Sequence, residues 1–355
     1  MSAGCPWAEA LRGVPAGSVR VVQPDGAPAA PLRAETDGRG RIEAYRVFPG
    51  IDAAFGMFCA SRAAFRHEAR EEVLSLDYCC AGRIGWDMRC GAAVYLGEGD
   101  LSLHSQACCA DSSMTFPLGF AAEVSLSVDL GALARACPEI LAAAGFDAQA
   151  LRARFCGGGA FCLPASPELA EIFSPLLRAP ADLRPAYLAL KSQELLLYLW
   201  RQEGGAPALQ RVHAQQTEQV RKVHAFLVSH LDRRYTIEDL SRQFLLNTAT
   251  LKSAFKAVYG QPIATYMKEA RVREAMRLLR ETDSSIADIA AAVGYESQGK
   301  FTKAFKAGAQ ALPTGTAAST ARKKRPPPSR FGTAGDAFLR GDFTFPRPRP
   351  RCRTS

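Results

Sequence analysis

A segment near the C-terminus occurs twice, and it limits what this chain can fold into more than any other feature. The first copy runs from Thr236-Ile237-Glu238-Asp239-Leu240 to Ala254-Phe255-Lys256, and the second from Ser285-Ile286-Ala287-Asp288-Ile289 to Ala304-Phe305-Lys306. Each opens on a hydroxyl residue with an acid three positions later, the sequence signature of a helix start. Each then shows an apolar pair four apart, a short break and a second helical stripe, so each reads as helix, turn, helix.

In the first copy Leu240 and Phe244 point inward, Leu245-Leu246 make the turn, and Asn247 caps a helix with a buried stripe of Leu251, Ala254, Phe255 and Val258. Its other face carries Ala249, Lys252, Ser253 and Lys256. In the second copy Ile289 and Val293 are the inward pair, and Gly294 supplies a turn of positive φ. Phe301, Ala304 and Phe305 face inward, and Gln298, Gly299, Lys300 and Lys303 face outward. Small, polar and basic side chains on an exposed helix face suit base edges and phosphates, and Gln298 has the two-pronged amide that reads adenine. A long helix from about Ile263 to Arg280 lies between the copies and fixes the spacing of the two reading helices. Major grooves recur every ~34 Å along one face of B-DNA. Reaching two of them with a straight spacer favours bent DNA, at a cost of about 1–6 kcal/mol.

Charge follows the same division. The chain has 355 residues and a formal net charge of +9. Residues 1–210 hold 18 Lys+Arg against 23 Asp+Glu, residues 211–306 hold 16 against 10, and residues 307–355 hold 10 against 2. An acidic front half therefore precedes a basic region that contains the repeat, which points to a polyanionic partner for that region alone.

At this point the chain resembles the AraC/XylS family of bacterial transcription regulators. The resemblance is carried by Phe255-Lys256-Ala257-Val258-Tyr259-Gly260-Gln261-Pro262, by Ala270-Arg271-Val272-Arg273-Glu274-Ala275 with Leu278-Leu279, and by Ile286-Ala287-Asp288-Ile289-Ala290 leading to Val293-Gly294-Tyr295-Glu296-Ser297; Phe301, Phe305-Lys306 and Pro313 complete it. It covers roughly residues 215–313. It implies a seven-helix DNA-binding domain with two helix-turn-helix units, contacting DNA through Ala249, Lys252, Ser253 and Lys256 in one unit and Gln298, Gly299, Lys300 and Lys303 in the other. The chain departs from the family pattern after Lys306. The expected aromatic-glycine, proline and Tyr-Arg positions hold Ala309 and Gln310, then Pro313, then Thr316 and Ala317. This predicts a frameshifted or divergent end with an incomplete last helix; an alternative is an added basic arm that binds phosphates without sequence preference.

The front half has a different texture. Residues 1–40 are rich in Gly, Ala and Pro and read as a disordered lead-in. Short alternating runs separated by turns follow, among them Val73–Tyr78, Ile84–Arg89, Ala92–Leu96 and Leu101–His104. They predict a small β-barrel or sandwich. Helical patterns begin after Asp129; Ser166-Pro167 starts one helix, and the strongest runs from Pro185 to Gln202. Its apolar face suits either the domain core or a dimer seam. Family relatives often join the DNA-binding part to a ligand-sensing, dimerising domain, commonly a cupin-like barrel followed by helices. Gly97-Glu98-Gly99-Asp100-Leu101 is similar to a cupin turn, and the front half also resembles, weakly, regulators of the pyochelin-siderophore type.

The expected architecture is α+β: a lead-in at 1–40, a cupin-like β-barrel and helical sensor domain at 41–205, an all-α DNA-binding domain at 211–317, and a disordered Pro/Arg-rich basic tail at 318–355, with Gly204-Gly205-Ala206-Pro207 as linker. The expected function is a sequence-specific transcription regulator, in the first instance an activator, with promoter DNA, a small-molecule effector, RNA polymerase and a second copy of the chain as partners. No cofactor and no enzyme activity are expected. No apolar run approaches the roughly 20 residues of a membrane span, and no secretory signal is evident, so a cytoplasmic location is expected.

Two other inputs stay open. Eleven cysteines without a Cys-x-x-Cys pair read mainly as small buried apolar residues rather than a disulfide framework, with a thiol-based redox or soft-metal sensor as the alternative. A DNA-repair methyltransferase-regulator would need a zinc-thiolate cluster that this cysteine spacing does not give. His67 and His104 stand apart in sequence and do not suggest a metal site.

Overall fold

The computed structural model describes residues 7, 10–23, 33–87, 92–110, 112–157, 159–202 and 212–309. The chain divides into two compact units, with the boundary at Arg211/Val212.

The first unit carries strands β1 (Ser18–Val22), β2 (Arg33–Thr36), β3 (Arg39–Phe48), β4 (Ile51–Cys59), β5 (Arg62–Arg66), β6 (Val73–Gly82), β7 (Ile84–Asp87), β8 (Ala92–Leu96) and β9 (Leu101–Ser105). Then come helix α1 (Gln106–Cys109), strands β10 (Ser113–Thr115) and β11 (Ala121–Asp129), helices α2 (Leu130–Arg135), α3 (Glu139–Ala143) and α4 (Ala148–Phe155), strand β12 (Phe161–Leu163), and helices α5 (Pro167–Arg178) and α6 (Arg184–Arg201). Hydrogen bonding orders the strands β12-β9-β6-β11-β4-β3-β1-β2-β5-β10-β7-β8. The sheet curls on itself into a nearly closed β-barrel. One buried cluster joins Ile42 and Phe58 from the middle of this order to Ile84, Trp86, Val94 and Met114 from its end, across the lumen.

Strand alternation sorts the two faces of the barrel wall. On β6 and β11, Leu74, Leu76 and Tyr78 and Val124, Leu126 and Val128 face outward, into a second core shared with α2 to α6. Tyr78 stacks flat on Phe173 of α5 at 3.9 Å between ring centroids. Arg184, at the start of α6, donates to Glu43 Oε2 on β3 at 2.9 Å and lies over the Phe55 ring at 5.4 Å. The side chains of this ion pair are about 6% and 7% exposed, so the strongest helix of the unit is tied to the barrel wall by a buried charge pair. The helix starts follow the expected chemistry: the Ser166 side chain accepts from Leu169 N, and α6 has proline in its first turn.

Two readings are corrected. The stretch 1–40 contains β1 and β2, and β1 pairs in parallel with β3 from Ser18↔Arg39 to Val22↔Glu43. Ala10, Leu11 and Val14 are buried. Its Gly- and Pro-rich composition hid strands whose backbone groups are satisfied by distant partners. Cys59 is disulfide-bonded, while the seven other described cysteines are free thiols.

The second unit is helical: α7 (Ala214–Ser229), α8 (Ile237–Gln243), α9 (Thr248–Tyr259), α10 (Ile263–Glu281), α11 (Ile286–Ala292) and α12 (Gln298–Ala309). α10 extends one residue beyond the reading from periodicity. Arg271 on it donates to the carbonyls of Leu231 (3.0 Å) and Arg233 (2.6 Å), holding the loop after α7. The linker Gly204–Pro207, the divergent Gln310–Ala317 stretch and the basic tail at 318–355 lie outside the described residues. Among the described residues, no helix is long and apolar enough to cross a membrane.

Candidate nucleic-acid interface and sensor cavity

Each copy of the repeat is built by the same local chemistry. Thr236 Oγ1 accepts from Asp239 N at 3.1 Å while the Asp239 carboxylate accepts from Thr236 N at 3.1 Å, a reciprocal capping box at the start of α8. Ser285 Oγ accepts from Asp288 N at 3.1 Å at the start of α11. The second helices are capped by Asn247, whose Oδ1 accepts from Thr250 N at 2.7 Å, and by Ser297, whose Oγ accepts from Lys300 N at 3.4 Å. These caps satisfy backbone donors that a helix leaves open at its N-terminus.

Burial fixes which face of each second helix is free. In α9, Leu251, Ala254, Phe255, Val258 and Tyr259 are buried. In α12, Phe301 and Phe305 are fully buried and join Val272, Ala275, Leu279, Ile289, Ala290 and Val293 in one core. Ala304 and Phe244, expected inside, are only partly buried. Ala249, Lys252, Ser253 and Lys256 are all exposed, at i, i+3, i+4 and i+7 on one face of α9. Gln298, Gly299, Lys300 and Lys303 are all exposed on α12. One adjustment concerns Lys300: its Nζ donates to Glu296 Oε2 at 2.5 Å, so its charge is partly matched within the unit. Lys252 stands three residues past Ala249 on α9 and Lys303 five past Gln298 on α12, and α10 joins the two helix-turn-helix units without a break.

The matches to known proteins fall on this region. Residues 240–319 match the model of a helix-turn-helix domain. The regulator ExsA of Pseudomonas aeruginosa is 31% identical over 149 residues, 42% of this chain and 54% of ExsA. The virulence regulon activator VirF of Yersinia enterocolitica is 27% identical over 126 residues, 36% of this chain and 46% of VirF. Residues 240–319 are thus similar to the helix-turn-helix part of AraC-type transcription regulators. Among solved structures, an AraC-type regulator from Chromobacterium violaceum is 21% identical, with a TM-score of 0.29, covering 31% of this chain and 98% of that one. The match spans about half the length of ExsA and VirF. The AraC/XylS motif residues Gly260 and Gly294 are both left-handed, with φ of 82° and 77°, and Pro262 stands at the N-cap of α10. The motif is therefore a set of backbone requirements as much as a set of contacts.

The barrel holds a second candidate site. Register places Ser75 and Asp77 on β6 opposite Ser127 and Ser125 on β11, with Glu123 two residues further and Gly56 of β4 as its partner. These side chains point into the lumen, where they line a cavity of ≈230 Å³ together with His67, Trp86, His104 and Cys109. His67 and His104, far apart in sequence, thus meet at one cavity. Among the described residues no group of three or more His, Cys, Asp or Glu has the arrangement of a metal site. Burial pushes the Asp77 carboxyl up to about 7, opposed by a hydrogen bond from Ser102. Burial, then the neighbouring Asp77, pushes Glu123 well above the usual carboxylate range. Burial lowers His104 to about 4. The thiols of Cys79, Cys80 and Cys109 are raised by burial, which disfavours the reactive thiolate. Nothing in the sequence reading singled out Asp77 or Glu123. In a strand pattern such as Glu123-Val124-Ser125-Leu126-Ser127-Val128 the polar set reads as solvent-facing, yet here it faces the lumen.

Proposed function

We propose that this chain is a sequence-specific DNA-binding regulator of transcription, in the first instance an activator, whose barrel senses a small molecule. The observation that carries the DNA-binding part is the pair of exposed sets, Ala249-Lys252-Ser253-Lys256 and Gln298-Gly299-Lys300-Lys303, on the capped second helices of the two helix-turn-helix units joined through α10. Lysines supply phosphate attraction, and the small and amide side chains beside them suit base edges. ExsA and VirF bear the names of a transcriptional regulator and a transcriptional activator, which supports extending that role to this chain. The polar cavity inside the barrel supports the sensor role. A homodimer, contact with RNA polymerase and a cytoplasmic location belong to the same proposal. The buried, raised thiols favour the small-molecule input over a cysteine-based one.

Genome-wide mapping of DNA bound by the full chain tests this reading. It predicts a small set of promoter-proximal sites sharing one motif, lost when Lys252 and Lys303 are both changed to alanine. Bound DNA without any shared motif, or sites unchanged in the double variant, would contradict it.

A further inference from the structure

We propose that the barrel cavity is a binding site for a small organic cation, an amine or amidine carried on a body about the size of one aromatic ring, with Glu123 and Asp77 as its counter-ions. This rests on the sensor reading above and specifies the class of molecule sensed.

Glu123 Oε2 and His104 Nδ1, both at the cavity, are buried polar atoms without a hydrogen-bond partner. Glu123 is 7% exposed, lines the cavity, and its Oε2 has no hydrogen-bond partner. His104 is 1% exposed, and its Nδ1 is also without a hydrogen bond, standing 3.8 Å from Asp77 Oδ2. Asp77, 8% exposed, accepts a long hydrogen bond from Ser102 Oγ at 3.4 Å. Buried polar groups left unpaired are costly, and a set of them around one cavity marks a place where a ligand supplies the partner.

The sign of that ligand follows from the charges. Three carboxylates line the cavity, Asp52, Asp77 and Glu123, and no Lys or Arg is among its described lining residues. Asp52 is matched by Arg46. Asp77 and Glu123 have no such partner; burial pushes both toward their protonated forms, and Asp77 pushes Glu123 further the same way. A cation between them reverses this: it attracts both carboxylates at low dielectric and displaces their protons to solvent. The other ionisable groups facing the pair are His67, His104, Cys79 and Cys109, and burial holds His104 toward its neutral form. The walls add the rings of Phe65 and Trp86, whose faces favour a cation.

Shape agrees. Gly56 lies opposite Glu123, and a Cβ there would stand 2.9 Å from Glu123 Oε1, so the glycine leaves the room that the carboxylate occupies. A cavity of ≈230 Å³ exceeds the roughly 150 Å³ that holds benzene, which leaves space for a ring and a short charged arm.

The test titrates the full chain with 2-phenylethylamine and benzamidine, against neutral 2-phenylethanol and anionic phenylacetate. Calorimetry at pH 6.5 in two buffers of different ionisation enthalpy counts the protons. The cations are expected to bind at least about tenfold tighter than the alcohol and to release about one proton each, with phenylacetate weakest. Glu123→Gln and Asp77→Asn, isosteric and free of the buried charge, are each expected to keep the unfolding transition and lose most of the cation preference. Failure of both cations to bind, phenylacetate or the alcohol binding as tightly, or a cation preference that survives in the double variant overturns the proposal. DNA affinity is read separately: cation binding that leaves DNA affinity unchanged sinks the sensor role while leaving the cation site in place.

Discussion

Leu245 and Gly294 occupy the same place in the two helix-turn-helix units, 49 residues apart, and both are left-handed, with φ of 54° and 77°. The turn demands this backbone in both copies, but only the second meets it with the residue that adopts it without strain. Leu245 is 92% exposed, so its side chain contributes little burial in return. Gly294 is held more tightly: a Cβ there would stand 2.4 Å from the Leu231 carbonyl oxygen. Leu245→Gly is therefore expected to stabilise the C-terminal unit by about 0.5–1 kcal/mol, and Gly294→Ala to destabilise it by roughly 2 kcal/mol or more. Urea unfolding of both variants checks the asymmetry.

Exposed lysines on reading helices act through phosphate charge. Lys252→Ala and Lys303→Ala should each weaken binding to specific and random duplexes alike and reduce the slope of log affinity against log salt by about 0.9 per lost phosphate contact. Gln298→Ala should instead cost about 1–3 kcal/mol on the preferred sequence and little on random DNA. Titrations at several salt concentrations separate the two behaviours.

The two units should respond to pH in opposite directions. His224 is half-buried, stacked on Tyr259 at 4.3 Å and bonded to Tyr266 at 2.7 Å, and desolvation lowers it to about 4. Below its unfolded value of about 6.5 the unfolded chain takes up the proton first, so the C-terminal unit loses stability as pH falls from about 6.5 to 4. In the barrel the sign is reversed. Asp77 is raised to about 7 and Glu123 also upward, so the folded state holds protons that the unfolded state has released, and stability falls as pH rises above about 4. His104, lowered to about 4, offsets part of this up to about pH 6.5, after which the decline steepens. Hydrogen exchange, which reads each unit by itself, should show protection moving in opposite senses between pH 5 and 7.5. Asp77→Asn should flatten the barrel's response; an unchanged response in that variant contradicts the assignment.

The Arg184–Glu43 pair predicts an uneven mutational response. Arg184→Ala leaves Glu43 buried without that partner and removes the stem packed on Phe55, and should cost about 3–5 kcal/mol. Changing both to apolar residues of similar volume, as in Arg184→Met with Glu43→Leu, should recover most of the loss. Thermal unfolding of the three variants decides it.

The C-terminal unit was legible because its signals are local. Caps, apolar spacing and the turn glycine each act within four residues, so Thr236, Ser285, Asn247 and Gly294 announced their roles in sequence order. The barrel was legible as β texture but not in its wiring. β1 pairs with β3 through a register that no local pattern encodes, and the Gly-Pro-rich stretch around it resembles a loose segment. The polar lumen was hidden for a related reason. Alternation tells which residues share a face but not which face meets water, and the apolar set of β6 and β11 is covered by α5 and α6 rather than by the barrel interior. Asp77 and Glu123 come together only through strand pairing across 46 residues of sequence.

The most direct test of the two-headed DNA reader is selection of random duplexes by the full chain and by two variants, Lys252→Ala/Ser253→Ala and Gln298→Ala/Lys303→Ala. The account predicts a motif with two information-rich blocks about one helical turn apart, roughly 10 base pairs, with each variant erasing preference in a different block. A single block, or two variants that weaken both blocks equally, would contradict it.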